Sequence, residues 1–541
     1  MSSHEAAATF HVNVKLVLVR VVVRDAQGHA VGNLEKQDFQ LFDDRKPQVI
    51  TQFSVEKPGE QVAKARASSE SNPSESAATN GKIPEIPERY IAYVFDDVHL
   101  KMGDLMQARQ AAEKHLASLQ PTDRAAILTT SGQGNLDFTD DRNSLKAALG
   151  RLVPRSLNGG EINPCPDVSY YMADLIANQR DPQALGVATQ DALDCAFNSD
   201  TRLLSAAQQM AQATAQSELQ IGDHESQLAL SVLKDAVRRM ALMPGQRSLV
   251  LVSPGFLTPR LEIEYTDLID RALRSQVIIS ALDARGLYTI VPGGDISKRT
   301  KPNIMVQAQQ TLYQSASASA EADILAVLAD ATGGVFFHNN NDLVEGFRRV
   351  ASTPEYYYEL GFSPQNLKLD GRFHSLKVAV KNPEKLTVQA RRGYYAPKHA
   401  TDPEEEAKQE IEDAVFSQEE LHDLPVQLHT QFFKASDDAA KLTVLAHVDV
   451  AQLRFRKADG RNNDNLTVVS ALFNRNGDFV KGSEEVLKMR LKDDTLDRKL
   501  RSGITLKSSF DVKPGSYLVR LVVRDTEGRL MAAENGAVEI P

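Results

Sequence analysis

The run Tyr90-Ile-Ala-Tyr-Val-Phe95 is apolar at every position and ends on the acidic pair Asp96-Asp97. A strand wetted on one face alternates apolar with polar residues, whereas an unbroken apolar run needs cover on both faces. The run therefore predicts a central strand of a mostly parallel sheet with helices above and below it. A second apolar strand, Ser248-Leu-Val-Leu-Val252, ends at Ser253-Pro254-Gly255. Ligands of open α/β sheets sit beyond the carboxyl ends of the strands. Asp96, Asp97 and Ser253 thus mark a candidate rim for a cation or a partner.

From 88 to about 350 strands alternate with helices. Strand 90–95 leads to a helix near 104–119, and 123–130 is a second strand followed by a short helix over 141–152. A helix over 227–242 precedes strand 248–252, and a helix over 265–274 precedes strand 277–282. A helix over 321–331 ends at Gly333-Gly334, a plausible C-cap, before the short strand 335–338. The stretch 153–222 reads as an insertion with a helical Ala/Gln-rich half.

The flanks are β-rich. His11 to Arg24 carries many β-branched residues, and 38–42 and 49–55 follow as further strands. Residues 58–87 are polar and Ser-rich and read as a flexible linker. After 355 the β pattern returns, with Tyr356-Tyr-Tyr358 expected to pair across a sheet. Neither 10–57 nor 355–397 holds enough strands for a sandwich alone, so together they predict one discontinuous Ig-like sandwich interrupted by 88–350. An acidic linker or helix over 398–422 leads to a C-terminal Ig-like sandwich over 423–541.

A chain of 541 residues is too long for one core. Its net charge of -10 argues against nucleic acid as partner, and no run is apolar enough for a membrane span. The only cysteines are Cys165 and Cys195, in one Pro- and Asn-containing stretch. A bridge there would stabilise by about 3–4 kcal/mol through chain entropy and would favour an oxidising compartment. Two unrelated thiols are the alternative. The opening Ser2 to Thr9 is polar, without an apolar export signal. The expected location is periplasmic or secreted, with the cytoplasm as the alternative.

Tyr90 to Leu100, Phe138-Thr-Asp-Asp141, Gly245 to Phe256, Ser280 to Leu287 and Leu328 to Gly334, taken in order, resemble a von Willebrand factor A domain. With Val-Arg-Asp-x-x-Gly at 23–28, Asp38-Phe39 and Gly393-Tyr-Tyr-Ala-Pro397, the chain is similar to the bacterial, acidobacterial-type VWFA-related family. The resemblance covers about residues 10–398. It implies a Rossmann-like α/β domain set in the discontinuous sandwich. It also implies a Mg²⁺ site built from Asp-x-Ser-x-Ser with a later Thr and a later Asp. Asp96 matches the first Asp, but Val98 and Leu100 stand in place of the two Ser and Ser253 in place of the later Asp. Ser226 is the candidate for the Thr position, and Asp97 is a possible substitute ligand.

A shell so incomplete holds Mg²⁺ poorly, because the ion gives up water reluctantly. The expected cofactor is accordingly none, the site being degenerate. The alternative role for Asp96 and Asp97 is to cap the following helix or to bond backbone amides at the strand end. His99, alone beside them, is expected to be solvated, and Asp283 with Arg285 to form an ion pair or loop anchor. No His pair has zinc-ligand spacing, and Ser253 lacks the context of a nucleophile elbow. These residues point to a non-enzymatic protein that binds a protein or cell-surface ligand. Two other classes stay open: a structural envelope component, and a hydrolase using Asp96, Asp97 and His99 as an acid-base cluster.

Overall fold

The strand Arg89–Phe95 is buried at all seven positions and pairs in parallel with Gln246–Ser253 on one side and Asp123–Thr129 on the other. The computed structural model describes residues 17–25, 30–56, 89–155, 164–288, 304–351, 357–364, 373–381, 386–395, 403–416, 421–436, 438–458, 460–528 and 530–541. The expected linker 58–87 lies outside them. The described chain divides into two compact units, one from the two ends of the stretch up to 401 and one from the rest.

In the larger unit a six-stranded sheet runs in the order Phe336–Phe337, Val277–Asp283, Gln246–Ser253, Arg89–Phe95, Asp123–Thr129, Leu136–Thr139. Every pairing is parallel except the last, so the sheet is mixed. Ile91, Tyr93 and Phe95 face helices Met102–Leu116, Arg142–Gly150 and Leu343–Val350. Tyr90, Ala92 and Val94 face helices Leu204–Ala241, Glu262–Arg274 and Ile304–Thr332. One apolar strand thereby seeds two cores, each fully buried large side chain contributing about 1.5–3 kcal/mol.

The helical half of the expected insertion and the expected helix over 227–242 are continuous with one another. Leu204–Ala241 is a single helix of 38 residues. Its first half buries Ala207, Ala211 and Ala215 against the short helices Tyr170–Ala177 and Pro182–Ala196. Its second half buries Leu230, Leu233, Val237 and Met240 on the sheet. These positions stay in helical phase across Gly222, where the Tyr170 ring fills the space a side chain would take, so one rod serves both cores. Cys165 and Cys195 form a disulfide that ties the start of this excursion to helix Pro182–Ala196.

The same unit carries antiparallel sheets over 421–541, one of six strands around Arg461–Asn474 and Gly515–Asp525, and one of three, Val426–Ser436, Ala439–Val448 and Ile504–Val512. They share cores in a sandwich-like arrangement. Within 398–422, Pro403–Phe416 is a helix and not a free connector, since Ala414 and Val415 pack on Phe473 and Leu518. Arg124 donates to the Arg475 carbonyl at 3.1 Å, Arg475 pairs with Asp140, and Arg247 donates to the Phe416 carbonyl. No described helix is long and apolar enough to cross a membrane.

The smaller unit holds two four-stranded antiparallel sheets. One runs Thr387–Ala390, Val17–Arg24, Tyr357–Phe362, Ile50–Glu56; the other runs Gly393–Tyr395, Phe373–Val380, Phe39–Asp43, Lys46–Gln48. Val19, Val21 and Val23 point inward with Leu41, Tyr358, Leu360 and Phe362, as the two-residue period requires. The Tyr358 hydroxyl donates to the Val31 carbonyl at 2.6 Å, so that tyrosine serves packing.

Two positions give direct tests. Gly255, just past strand Gln246–Ser253, has φ +90°, and a Cβ there would stand 2.1 Å from the Glu321 carbonyl oxygen. Gly255→Ala should cost about 3 kcal/mol or more, read as a lower urea midpoint at unchanged m-value. In the C-terminal sheets Asp464 and Asp525 meet, 2% and 0% exposed. Burial, then the charge of Asp525 and a shared hydrogen bond, push the Asp464 carboxyl up to about 7. A raised folded-state value gives stability that is complete below the unfolded value and lost as pH rises through the folded one. Asp464→Asn should therefore gain roughly 2–3 kcal/mol on the wild type between about pH 5 and 8.5, measured by denaturant titration.

Candidate functional site

The carboxyl end of strand Arg89–Phe95 delivers Asp96 into the interior. The Asp96 amide still donates to the Val252 carbonyl at 2.9 Å, extending the parallel pairing by one residue. Its side chain is 0% exposed. A carboxylate so buried must be matched by donors, and four groups supply them. His99 Nδ1 lies 2.8 and 2.9 Å from the two oxygens. Ser253 Oγ donates at 2.6 Å and Thr130 Oγ1 at 2.9 Å, and the His99 amide completes the shell at 3.4 Å.

Asp97 turns the other way. It accepts from the Ser131 amide at 2.9 Å and the Ser131 hydroxyl at 2.6 Å, with Arg155 at ion-pair distance, 3.9 Å. Thr130 Oγ1 lies 3.0 Å from Asp97 as well, so its single proton serves one carboxylate at a time. The two acids thus pin three strand ends together. They do not cap helix Met102–Leu116, whose N-cap residue is Lys101.

His99 is not solvated, contrary to expectation. Its side chain is 15% exposed, it is tied to Asp96, and its ring stacks on Phe256 at 5.4 Å between centroids. Phe256 follows the Ser-Pro-Gly turn, so the apolar wall that shields the imidazole comes from the neighbouring strand's loop. Burial alone would depress the His99 imidazole, but the Asp96 carboxylate overrides it and holds the group above its ordinary value. Burial alone would likewise raise Asp96, yet His99 with the Ser253 and Thr130 hydroxyls leaves it below the usual carboxylate range. The result is a buried ion pair.

Val98 and Leu100, where the resemblance wants hydroxyls, are core residues at 3% exposure each. Ser253 reaches Asp96 directly. Ser226 does not: it lies buried on helix Leu204–Ala241 beside Tyr170. Thr130, which sequence reading missed, supplies the hydroxyl instead. Its signal was the Thr129-Thr130-Ser131 run at the end of strand Asp123–Thr129. Asp283 and Arg285 form a bidentate pair at 2.9 and 2.8 Å, and Arg285 also donates to the Ala318 carbonyl, which anchors that loop.

Chemically, Ser253 and His99 both point at the same carboxylate and not at one another. In a Ser-His-acid triad the hydroxyl bonds the imidazole, which the acid orients from its other nitrogen. Here the hydroxyl proton is committed to Asp96, and Ser253 Oγ accepts from the Gly255 amide at 2.9 Å. The arrangement builds a closed polar knot.

No family model matches the chain, and no curated protein matches it. Among solved structures, the N-terminal domain of TFIIH p34 is similar over 50% of this chain and 99% of its own, at 10% identity and TM-score 0.21. A glycosyl hydrolase family 2 member from Bacteroides cellulosilyticus is similar over 34% of this chain and 20% of its own, at 9% identity and TM-score 0.16. Bacteroides uniformis β-glucuronidase is similar over 35% and 19%, at 11% identity and TM-score 0.15. This chain therefore spans about one fifth of those hydrolases. Likenesses this slight carry no argument about fold or activity.

The ion pair sets a pH signature. His99, held high, adds stability that is complete below its unfolded value near 6.5 and lost as pH rises through the folded one. Asp96, held low, adds stability that is complete above its unfolded value near 3.9 and lost as pH falls through the folded one. His99→Gln should cost about 3 kcal/mol near pH 6, and this deficit should shrink towards pH 9. Guanidinium titrations of both proteins across that range measure the difference. The His115 imidazole, pushed down to about 4 by burial, titrates with opposite sign, but it is common to both proteins and cancels.

Proposed function

We propose that this chain is an extracytoplasmic, non-enzymatic binding protein whose α/β part is a degenerate von Willebrand A-type domain of the VWFA-related kind. The observation that carries the reading is a set of exposed apolar side chains on the rim beyond the carboxyl strand ends. Met102 and Met106 follow strand Arg89–Phe95 at 54% and 47% exposure, Ile263 follows Gln246–Ser253 at 82%, and Leu287 follows Val277–Asp283 at 59%. Those three strands are parallel neighbours in the sheet, so all four residues follow strand ends at the same edge, on helices and loops of both faces. A rim of apolar side chains at the place where such sheets bind ligands suits a protein surface better than a small polar substrate.

The same reading accounts for the missing metal ligands. His99 supplies inside the protein the positive charge that a cation would bring to Asp96, and every donor around that carboxylate is already engaged. An acid-base hydrolase would need Asp96 and Asp97 open to substrate, but they are 0% and 1% exposed. The Cys165–Cys195 disulfide supports an oxidising compartment.

The test is affinity capture from an envelope extract of the source organism. Wild type is compared with a Met102→Gln, Ile263→Gln, Leu287→Gln triple variant whose stability changes by within about 0.5 kcal/mol per site. A partner retained by wild type and lost by the variant is expected. A partner kept equally by both would move binding off the rim, and none from either would favour a structural envelope component. Calorimetry with Mg²⁺ should give no saturable heat, and saturable binding abolished by Asp96→Ala would restore the metal site.

A further inference from the structure

We infer that the smaller unit holds a site for a zinc-class divalent cation, formed by Asp43 Oδ1, Asp44 Oδ2 and His374 Nδ1 where the tip of one hairpin meets the start of strand Phe373–Val380. The hairpin joins Phe39–Asp43 to Lys46–Gln48 through Asp44 and Arg45, both at positive φ (46° and 67°), as a two-residue turn of the primed type requires. The Asp44 amide donates to the Ser375 carbonyl at 2.9 Å, which brings the turn beside His374.

Each carboxylate has one oxygen held by a protein donor and the other turned towards the imidazole. Asp43 Oδ2 accepts from the Tyr394 hydroxyl at 2.9 Å, and Asp44 Oδ1 from the Ser375 amide at 2.9 Å. The remaining oxygens, Asp43 Oδ1 and Asp44 Oδ2, stand 3.5 and 3.4 Å from His374 Nδ1. Asp43 is 8% exposed, and its Oδ1 has no hydrogen-bond partner. A buried carboxylate oxygen that accepts no hydrogen bond and faces an imidazole nitrogen at 3.5 Å is disposed to take a cation between the two.

The separations favour an ion over a direct bond. A charged N–H···O pair closes to about 2.7–2.9 Å, as His99 and Asp96 do at 2.8 Å in this same chain. Two ligands on opposite ends of a tetrahedral edge, with bonds of about 2.0–2.2 Å to zinc, stand roughly 3.3–3.5 Å apart. The three donor atoms all lie within 4.8 Å of one another. An imidazole nitrogen with two carboxylates selects zinc and its first-row neighbours over Mg²⁺ or Ca²⁺. The Tyr394 hydroxyl on Asp43 and the Ser375 amide on Asp44 act as outer partners that aim the ligands. Asp44, its side chain 54% exposed, leaves the water side open for entry and for a fourth ligand. The ion would fasten the hairpin tip to strand Phe373–Val380.

Calorimetric titration of the full chain with Zn²⁺ tests this, with Asp44→Asn, His374→Gln and Tyr394→Phe alongside. Wild type should show saturable binding that both ligand variants weaken by at least about 100-fold, while Mg²⁺ gives none. Tyr394→Phe keeps all three ligands but loses the aiming hydroxyl, and it should weaken zinc by about 10–100-fold. Zn²⁺ should also raise the melting temperature of wild type and not of His374→Gln, which separates loss of the site from loss of the fold. No saturable zinc heat in wild type, or binding that persists unchanged in both ligand variants, would overturn the site. Neither result would touch the rim-binding proposal, whose residues lie in the other unit.

Discussion

The α/β part depends on burying one charged carboxylate at the end of its central strand. Asp96 has no exposure to water, so its desolvation must be offset by groups brought from elsewhere. Those groups come from the next residues of its own loop, from the end of strand Asp123–Thr129 and from the end of strand Gln246–Ser253. The three central strands are thereby fixed in register at the very edge where the rim begins. Removing one donor leaves the charge uncompensated, which costs more than forming the bond gains. The knot is therefore a constraint on the loops more than a source of net stability.

A second constraint is topological. Val17–Arg24 pairs with Tyr357–Phe362, Val19 opposite Leu360, across more than three hundred residues of intervening chain. Closing so long a loop costs conformational entropy that grows with the logarithm of its length, each doubling adding about 0.6 kcal/mol. Prior folding of the intervening α/β part shortens the effective loop. Its parallel sheet would thus be the natural first step, and strand pairing in the smaller unit a later one.

How much of this could be read from the sequence differs from element to element. The unalternating run 90–95 announced a covered parallel strand because burial on both faces leaves a direct mark on composition. The β-branched residues of 11–24 marked a strand by composition, whereas the inward set Val17, Val19, Val21 and Val23 is seen only in the structure. Asp96 and Ser253 were legible because polar residues ending apolar strands have few other places to go. His99 was misjudged: its burial depends on Phe256 arriving from a distant loop, which no local pattern encodes. Thr130 lay in plain view but was passed over, since a hydroxyl at a strand end looks like any other turn residue. The segments read as two helices, within 153–222 and over 227–242, form one rod because helical phase continues across 222.

The two histidine–aspartate sites show where such reading stops. Both place an imidazole Nδ1 against carboxylate oxygens, and a sequence offers no way to tell them apart. At Asp96 the spacing of three residues in one loop lets the pair close to 2.8 Å, with hydroxyls filling the other lone pairs. At Asp43 and Asp44 the imidazole comes from a strand over three hundred residues away, and the backbone of both partners is fixed by sheet pairing. The side chains there are held 3.4–3.5 Å apart by Tyr394 and Ser375, and one buried oxygen is left without a donor. A short gap filled by a proton makes an ion pair; a wider gap held open by outer bonds makes room for a metal. What separates the two sites is which groups hold the carboxylates back.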